Sequence, residues 1–513
     1  MRNYFKLISF CILFLTILDS NGQLPQPVLT YLDGFSFTDT SRIAVKGQAR
    51  ILSIDKRMGI NMTSIHSALQ LKKHTLNQPQ GTVTVWFLPL EDMSHFPMSD
   101  NLKISNKNIY TYPLLSDSPN PQDFNAANFK LVWDGGWHPN LLALFAKGSF
   151  YEDAFNLPYS ANVSSSHASF KKNTWYQITL TWDYPNDKYS LYINGVLVGR
   201  ENQFKEGIFH RDSIRTSLFT GNPALAISTI KFYNNSLTKD DVYKLFHSEV
   251  THFDRNLETE LQYMYEGKNR KPFIWQPDNS WLKKFDISLS NPIQLDSFYV
   301  QGKPVNVSIS EKGLLIETIN KCYTGALLDS QVYLFSKKVF EGDLYVEYEF
   351  NSLRPGGLSL LMTQASGMNR EDFMADYPLR TSGRMSVLYG EDIRNYHWEY
   401  YRDMSDTRND VLTSGLIKNP FTYPLAFGCL DKPLEKNKWH KLQFLQIDNK
   451  IIGAIDGIIM IEATDNGFSN HGSVYNFGHI AIRCMLHTKM LFRNLKVYNR
   501  NVVQTISVIK TIK

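Results

Sequence analysis

The chain has 513 residues, 43% of them hydrophobic, and a formal net charge of +5 at pH 7. That length exceeds one ordinary core and points to two domains. The mild, dispersed charge gives no nucleic-acid-binding block and suits an anionic partner such as an acidic glycan.

Residues 1–22 read as a secretory signal peptide. Arg2 and Lys6 precede an apolar run from Leu7 to Leu18, and Asp19-Ser20-Asn21-Gly22 follows. Cys11 sits in the middle of the apolar run, badly placed for lipidation. Nothing downstream is long and apolar enough for a spanning helix. The expectation is an exported protein, periplasmic or secreted, with no membrane span. The other cysteines, Cys322, Cys429 and Cys484, are too few and too widely spaced for a disulfide framework or a zinc site, and read as buried small hydrophobes.

Strands dominate the rest. "GTVTVWFLPL" (81–90), "WYQITLTWDY" (175–184), "GDLYVEYEF" (342–350) and "GHIAIRCML" (478–486) alternate or are rich in β-branched and aromatic residues. The best helix is "SLTKDDVYKLFHSE" (236–249), with Ser236 or Thr238 as N-cap. An internal echo pairs "KKNTWYQITLTWDYPNDKYSLYINGVLVG" (171–199) with "EKNKWHKLQFLQIDNKIIGAIDGIIMI" (435–461). Each has a Trp-led strand, a polar turn and a second strand. Each second strand then ends on Asn194-Gly195 or Asp456-Gly457, dipeptides that favour tight hairpin turns.

These phrases resemble the concanavalin A-like, laminin-G-type jelly roll. The resemblance implies an all-β fold class, two stacked-sheet sandwiches in tandem, with a concave sheet of the kind that commonly faces sugar. The expected domains are residues 24–248 and 285–500, joined by a linker over 249–284 that carries "KPFIWQPDNSW" (271–281). In the first domain "LVWDGGWHPN" (131–140) offers Trp137 as a sugar-stacking side chain, with Trp133 read as core. No dense Asp cluster has calcium-ligand spacing. Phosphate-loop, dinucleotide, zincin and serine-hydrolase motifs are missing. The expectation is therefore no metal and no cofactor.

Two stretches carry carboxylates or acid–base groups. "EGDLYVE" spaces Glu341, Asp343 and Glu347 like the carboxylate strand of jelly-roll glucanases, and supports a glycoside hydrolase as one alternative. Against it, Leu344, Val346, Tyr348 and Phe350 form a core face, and the charged face reads as exposed. "YHWEYYRD" (396–403) is richer. As a regular strand it sends Tyr396, Trp398, Tyr400 and Arg402 to one face and His397, Glu399, Tyr401 and Asp403 to the other. Arg402, on the core-like face, then reads as a salt-bridge partner or a ligand contact.

That strand belongs to a larger set: Arg380-Thr381 before Gly383, Asn395-Tyr396-His397, Tyr400-Tyr401-Arg402, Lys418-Asn419, and Arg483 in "HIAIRCM". Together these resemble the YesU-like family of concanavalin A-like proteins, over essentially all of residues 285–500. Members of that family resemble accessory proteins of bacterial systems that dismantle rhamnose- and uronate-containing polysaccharides such as ulvan or rhamnogalacturonan. The resemblance implies an acidic glycan as partner.

The chemistry open to such a site is β-elimination at a uronic acid, either by a polysaccharide lyase or by an oligosaccharide dehydratase. It needs cationic or amide groups on the carboxylate, a base for the C5 proton and an acid for the leaving oxygen. Arg483 and Lys418 suit the carboxylate, and His397 and Tyr401 suit base and acid. Glu399, Arg402, Asn419, Arg380 and Trp137 are the expected binding residues. His397 and Tyr401 lie about 13 Å apart on a regular strand, so they meet one sugar only if the strand bulges or curves. Tyr389 and His487 are the substitutes. A non-catalytic carbohydrate-binding protein would use the same face as a platform.

Overall fold

In the computed structural model, residues 24–500 are described apart from 34–40, 65, 74–75, 92–110, 119–126, 135–139, 146–160, 167–169, 187, 202–210, 251–254, 320–329, 379, 384–392, 404–412, 421–422, 430–433 and 468–471. The signal-peptide reading, Trp137, Tyr389 and Cys322 therefore fall outside the described residues.

Strands with one apolar and one polar face must stack in pairs, and the chain does this twice. In the first domain, an eight-stranded antiparallel sheet containing Gln80–Pro89, Tyr176–Asp183 and Leu225–Tyr233 pairs with a seven-stranded one containing Thr111–Ser116 and Lys130–Asp134. Phe87, Trp133, Tyr176 and Trp182 fill the space between them. Trp133 is core, as expected. The helix Lys239–Glu249 is capped by Thr238 in a capping box with Asp241. At its other end, Glu249 accepts from Trp86 Nε1 at 2.7 Å and pairs with Lys231 at 2.8 Å, which pins the helix to the sheet.

The Asn-Gly and Asp-Gly hairpins form as expected. Asn194 and Gly195 have φ of 48° and 77°, and Asp456 and Gly457 have 51° and 74°. The segment between the domains holds more structure than a linker reading implies. Arg255–Glu266 is a helix, and Lys271 to Phe273 then bonds to the backbone of Gly457 and Ile459 at the edge of the second domain. Trp275 packs 4.9 Å from both Trp281 and Tyr345, so the Trp/Pro-rich passage covers an outer sheet face.

The second domain repeats the sandwich. Its outer-facing site lies on one eight-stranded sheet, whose main strands are β1 (Phe298–Gly302), β2 (Val332–Ser336), β3 (Gly357–Gly367), β4 (Ile393–Asp403), β5 (Thr413–Asn419), β6 (Tyr423–Cys429) and β7 (Phe477–Cys484); the short Phe340–Glu341 strand pairs with β7 as the eighth. Their spatial order is β1-β2-β7-β3-β4-β5-β6. Leu334, Leu361, Tyr396, Trp398, Leu416 and Ile482 point inward, against Val346, Phe350 and Phe444 of the partner sheet. The opposite face carries a smaller apolar cluster of Tyr333, Phe335, Met362, Phe373 and Ala481. Cys484 is a buried free thiol that burial pushes up to about 12, in line with a cysteine used as a small hydrophobe.

Candidate functional site

The register across the sheet assembles the site. Glu399 of β4 lies opposite Leu360 of β3, Leu360 opposite Arg483 of β7, and Arg483 opposite Tyr333 of β2. One step along, His397 is opposite Met362, and Met362 opposite Ala481. Paired residues share a face, so Arg483, Glu399 and His397 all stand on the side away from the core. Residues more than 80 positions apart in sequence meet there because β7 inserts beside β3.

His397 and Arg483 are both wholly buried. The imidazole Nδ1 is 2.9 Å from Asn419 Nδ2, and Nε2 makes no hydrogen bond, with Glu399 Oε1 at 3.8 Å. Burial holds this imidazole below the usual histidine range; the Arg483 charge acts the same way and outweighs, together with burial, the pull of Glu399. His397 is thus neutral at neutral pH. Arg483 Nη2 donates to Gln331 Oε1 at 2.6 Å, and its guanidinium lies 4.7 Å from the Tyr333 ring centre. Its Nε and Nη1 make no hydrogen bond, and no described carboxylate forms an ion pair with it. A guanidinium normally uses all its donors when buried, and among the described residues this one has two nitrogens left over.

Arg380 joins the same neighbourhood. Burial raises the Tyr333 phenol, and the charges of Arg483 and Arg380 oppose that rise. Tyr299 Oη donates to the Arg380 carbonyl, and Gln301 Nε2 donates to the Ser382 carbonyl at 2.7 Å, so β1 fixes the Arg380 segment. Gly383 completes the fit. A Cβ there would come within 1.7 Å of the Gln331 carbonyl oxygen, so only glycine passes.

The strand that carries His397 is not regular, and its irregularity rearranges the expected site. Ser359 pairs with Tyr401 and Leu360 with Glu399, which leaves Tyr400 as an extra residue in a bulge. Beyond the bulge the alternation is inverted. Tyr401 turns into the core, 4% exposed, where its hydroxyl donates to Ser352 Oγ at 2.9 Å and its ring meets Phe350. Arg402 turns out to the site face, where Nη1 lies 3.4 Å from Glu399 Oε2. The assignment of Tyr401 as acid is corrected accordingly, and Arg402 leaves the core-like face for the candidate site. Tyr401→Phe is expected to keep whatever activity the domain has, and to cost about 1 kcal/mol in denaturant unfolding for the lost hydrogen bond.

Lys418 is also displaced from its expected role. It is the neighbour of Asn419 in β5 and therefore faces the other way. Its ammonium is buried in the core, 2.7 Å from Asp465 Oδ2, and donates to the carbonyls of Gly472 and Ser473. Burial holds it below the usual lysine range although Asp465 opposes this. Asn419 does face the site, but its amide is engaged by Asn395 and His397 rather than open to a ligand. His487 lies in a turn after β7 with φ of 64°, its carbonyl held by Arg354.

The glucanase-like carboxylates are spent elsewhere. Glu341 is exposed and pairs with Arg370 at 3.1 Å. Asp343 is held by Arg500 at 2.6 Å. Glu347 pairs with Lys441 and Lys496 and accepts from Tyr345, on the outer face of the partner sheet. Asp343 and Glu347 lie in the partner sheet; Glu341 is opposite Phe477 of β7 and so shares the face of His397, but its carboxylate is exposed and held by Arg370.

Two members of the site escaped the sequence. Tyr333 sits in an ordinary-looking strand, with Gln331 just before it, and only the pairing of that strand with β7 brings them to Arg483. Asn395 was visible in the Asn-Tyr-His phrase, but its partner Asn419 is 24 residues away.

Residues 285–497 match a family model described as a domain of unknown function, DUF1961, and residues 63–243 match that of the concanavalin A-like lectin/glucanases superfamily. No curated protein matches the chain. Among solved structures, a protein of unknown function with a galectin-like fold from Bacillus subtilis aligns at 18% identity and TM-score 0.37, over 45% of this chain and 100% of its own. The carbohydrate binding module CBM66 from Bacillus subtilis aligns at 12% identity and TM-score 0.26, over 39% of this chain and 93% of its own. The ligand binding domain of botulinum neurotoxin serotype D, in complex with N-acetylneuraminic acid, aligns at 12% identity and TM-score 0.31, over 90% of this chain and 96% of its own. The chain therefore joins an N-terminal domain of the concanavalin A-like superfamily to a C-terminal DUF1961 domain, the YesU-like family that its Arg380-to-Arg483 motifs resemble.

Proposed function

We propose that the second domain is a carbon–oxygen lyase of an exported protein, acting on uronate-bearing oligosaccharides such as those of ulvan or rhamnogalacturonan. The observation that carries this reading is Arg483: a wholly buried guanidinium with two unpaired nitrogens, on one sheet face with a neutral imidazole whose Nε2 is also unpaired. A carboxylate is the acceptor that best fits a guanidinium, because two parallel N–H···O bonds match its geometry. Pairing there withdraws charge from the uronate carboxylate and makes the C5 proton more acidic.

His397 then takes the C5 proton on Nε2. The C5–H electron pair forms the C4–C5 double bond, and the C4–O4 bond breaks. With Tyr401 in the core, the imidazolium itself returns the proton to O4. The products are a 4,5-unsaturated uronate and either water or a shortened saccharide. Glu399, held by Arg402, lies beside the imidazole and stabilises its charged form in transit. A binding module is the second reading, in which Arg483 keeps the same ligand and His397 transfers nothing.

The test is ultraviolet absorbance of the conjugated product on a panel of uronate–rhamnose oligosaccharides, with mass spectrometry alongside. Loss of water marks a dehydratase, and chain cleavage marks a lyase. His397→Gln is expected to abolish either. Because burial and Arg483 keep the imidazole neutral, the acid limb of the rate profile is expected below pH ~6.5, the ordinary histidine value. No absorbance on an oligosaccharide that the protein binds would overturn elimination and leave the binding module.

A further inference from the structure

Strand β1 is an edge of the site sheet. Phe298 and Val300 pack into the core and Tyr299 packs against the opposite cluster, so by alternation Gln301 stands on the site face. The register sets Gln301 opposite Tyr333 and Tyr333 opposite Arg483, which puts the three side chains in one row across the sheet. Two strand spacings, about 10 Å, separate the backbones of Gln301 and Arg483. Both side chains are long enough for their ends to meet on one sugar ring.

The amide of Gln301 has a single orientation. Its Nε2 donates to the Ser382 carbonyl at 2.7 Å, and a carbonyl only accepts. Turned end for end, the amide would set oxygen against oxygen. Oε1 is therefore fixed on the other side, and there, among the described residues, it has no hydrogen-bond partner although the residue is only 1% exposed. Buried acceptors are normally paired, and a bare one costs stability. In the same row Arg483 keeps Nε and Nη1 unpaired, and Tyr333, its ring centre 4.7 Å from the guanidinium, stands between the two strands. An acceptor and a cation thus share one face without satisfying each other. A molecule with a carboxylate for the arginine and, on the same ring, a hydroxyl for the glutamine would complete both.

We propose that Gln301 is a specificity-determining residue of this site: Oε1 accepts from a hydroxyl of the ligand whose carboxylate Arg483 holds, so the site selects hydroxylated sugar acids over carboxylates without hydroxyls. The proposal rests on the reading of Arg483 as the carboxylate site above. It involves no proton transfer and holds equally for a lyase and for a binding module. The selection is a penalty as much as an attraction. A ring that carries the carboxylate alone would leave Oε1 bare, and sites built to bond a hydroxyl reject such analogues most strongly.

The test is ligand-observed NMR titration of the full chain with two six-membered-ring carboxylates, D-glucuronate and cyclohexanecarboxylate. Gln301→Met keeps the length of the side chain and removes the acceptor. It is expected to weaken D-glucuronate about 10-fold, the upper end for one neutral hydrogen bond, and to leave cyclohexanecarboxylate unchanged. The same variant loses the bond to Ser382, so Tyr299→Phe is the control: it removes the neighbouring bond to the Arg380 carbonyl and leaves Gln301 in place. There the ratio of the two affinities is expected to keep its wild-type value.

Equal weakening of both carboxylates in Gln301→Met means a structural role and overturns the proposal, as does no loss for D-glucuronate. A ratio that falls as far in Tyr299→Phe overturns it too. If Gln301→Met does not fold, the wild type decides: tighter binding of D-glucuronate is expected, and binding no tighter than that of cyclohexanecarboxylate overturns the proposal. If neither carboxylate binds the wild type, the carboxylate reading of Arg483 falls and takes this proposal with it. If both bind and the ratio ignores Gln301, only the role of Gln301 falls, so the two failures are told apart.

Discussion

Arg483→Met is expected to stabilise the protein and to cost it an acidic ligand. The guanidinium is wholly inside, yet its neighbours are a neutral amide, Gln331, and an aromatic ring, Tyr333, and no described carboxylate pairs with it. Keeping a charge in such a place costs several kcal/mol unless the geometry repays it, and replacing buried ionic groups by apolar side chains of similar volume is often neutral or stabilising by about 1–4 kcal/mol. Methionine has nearly the same length and would pack against Leu360 and Tyr333. The melting temperature should therefore hold or rise. Binding runs the other way. A charge-assisted hydrogen bond contributes about 1.5–3 kcal/mol, so losing the pair should weaken a uronate oligosaccharide about 100-fold or more. Calorimetric titration and thermal unfolding on one preparation give both numbers. A large loss of stability in Arg483→Met would mean that the arginine is structural and that the anion site is misplaced.

How much of this was legible beforehand depends on the range of the interaction. The doubled sandwich rests on local signals: alternation in 342–350, a Trp-led strand repeated at 175 and 439, and two dipeptides that accept positive φ. Each is decided within a few residues, so each reads out of the sequence. The site depends on one residue that does not. Tyr400 is the bulge, and nothing in Tyr-Tyr-Arg distinguishes a regular strand from one that skips a count. Both tyrosines go inward because Phe350 and Ser352 of the partner sheet have room and a hydrogen-bond partner for them. That choice, made 50 residues away, sends Tyr401 to the core and Arg402 to the site. The Lys418-Asn419 pair shows the same limit from another side. A two-residue motif in a strand always splits between faces, and only the location of Asp465 says which half is inside.

Lys418→Met is expected to cost about 3–5 kcal/mol of unfolding free energy, and a second substitution should restore most of it. Lys418 and Asp465 are both buried, 0% and 1% exposed. Asp465 also accepts from the Tyr396 hydroxyl and from the Gly467 backbone, while the ammonium is capped by two carbonyls and lies over the Tyr475 ring. Removing the lysine alone leaves the carboxylate inside without its counter-charge, which is the expensive case. Lys418→Met combined with Asp465→Asn removes both charges and keeps an amide that can still serve Tyr396. Denaturant unfolding of the two single variants and the double gives the coupling energy directly. Activity separates structure from chemistry in the same set. The ammonium sits behind the sheet, while the Tyr475 hydroxyl, in the same network, donates to the Asn419 carbonyl. Lys418 therefore supports β5 and does not reach the ligand. A folded double variant should turn over substrate with a KM close to that of the wild type. A folded but inactive double variant would return Lys418 to the reaction.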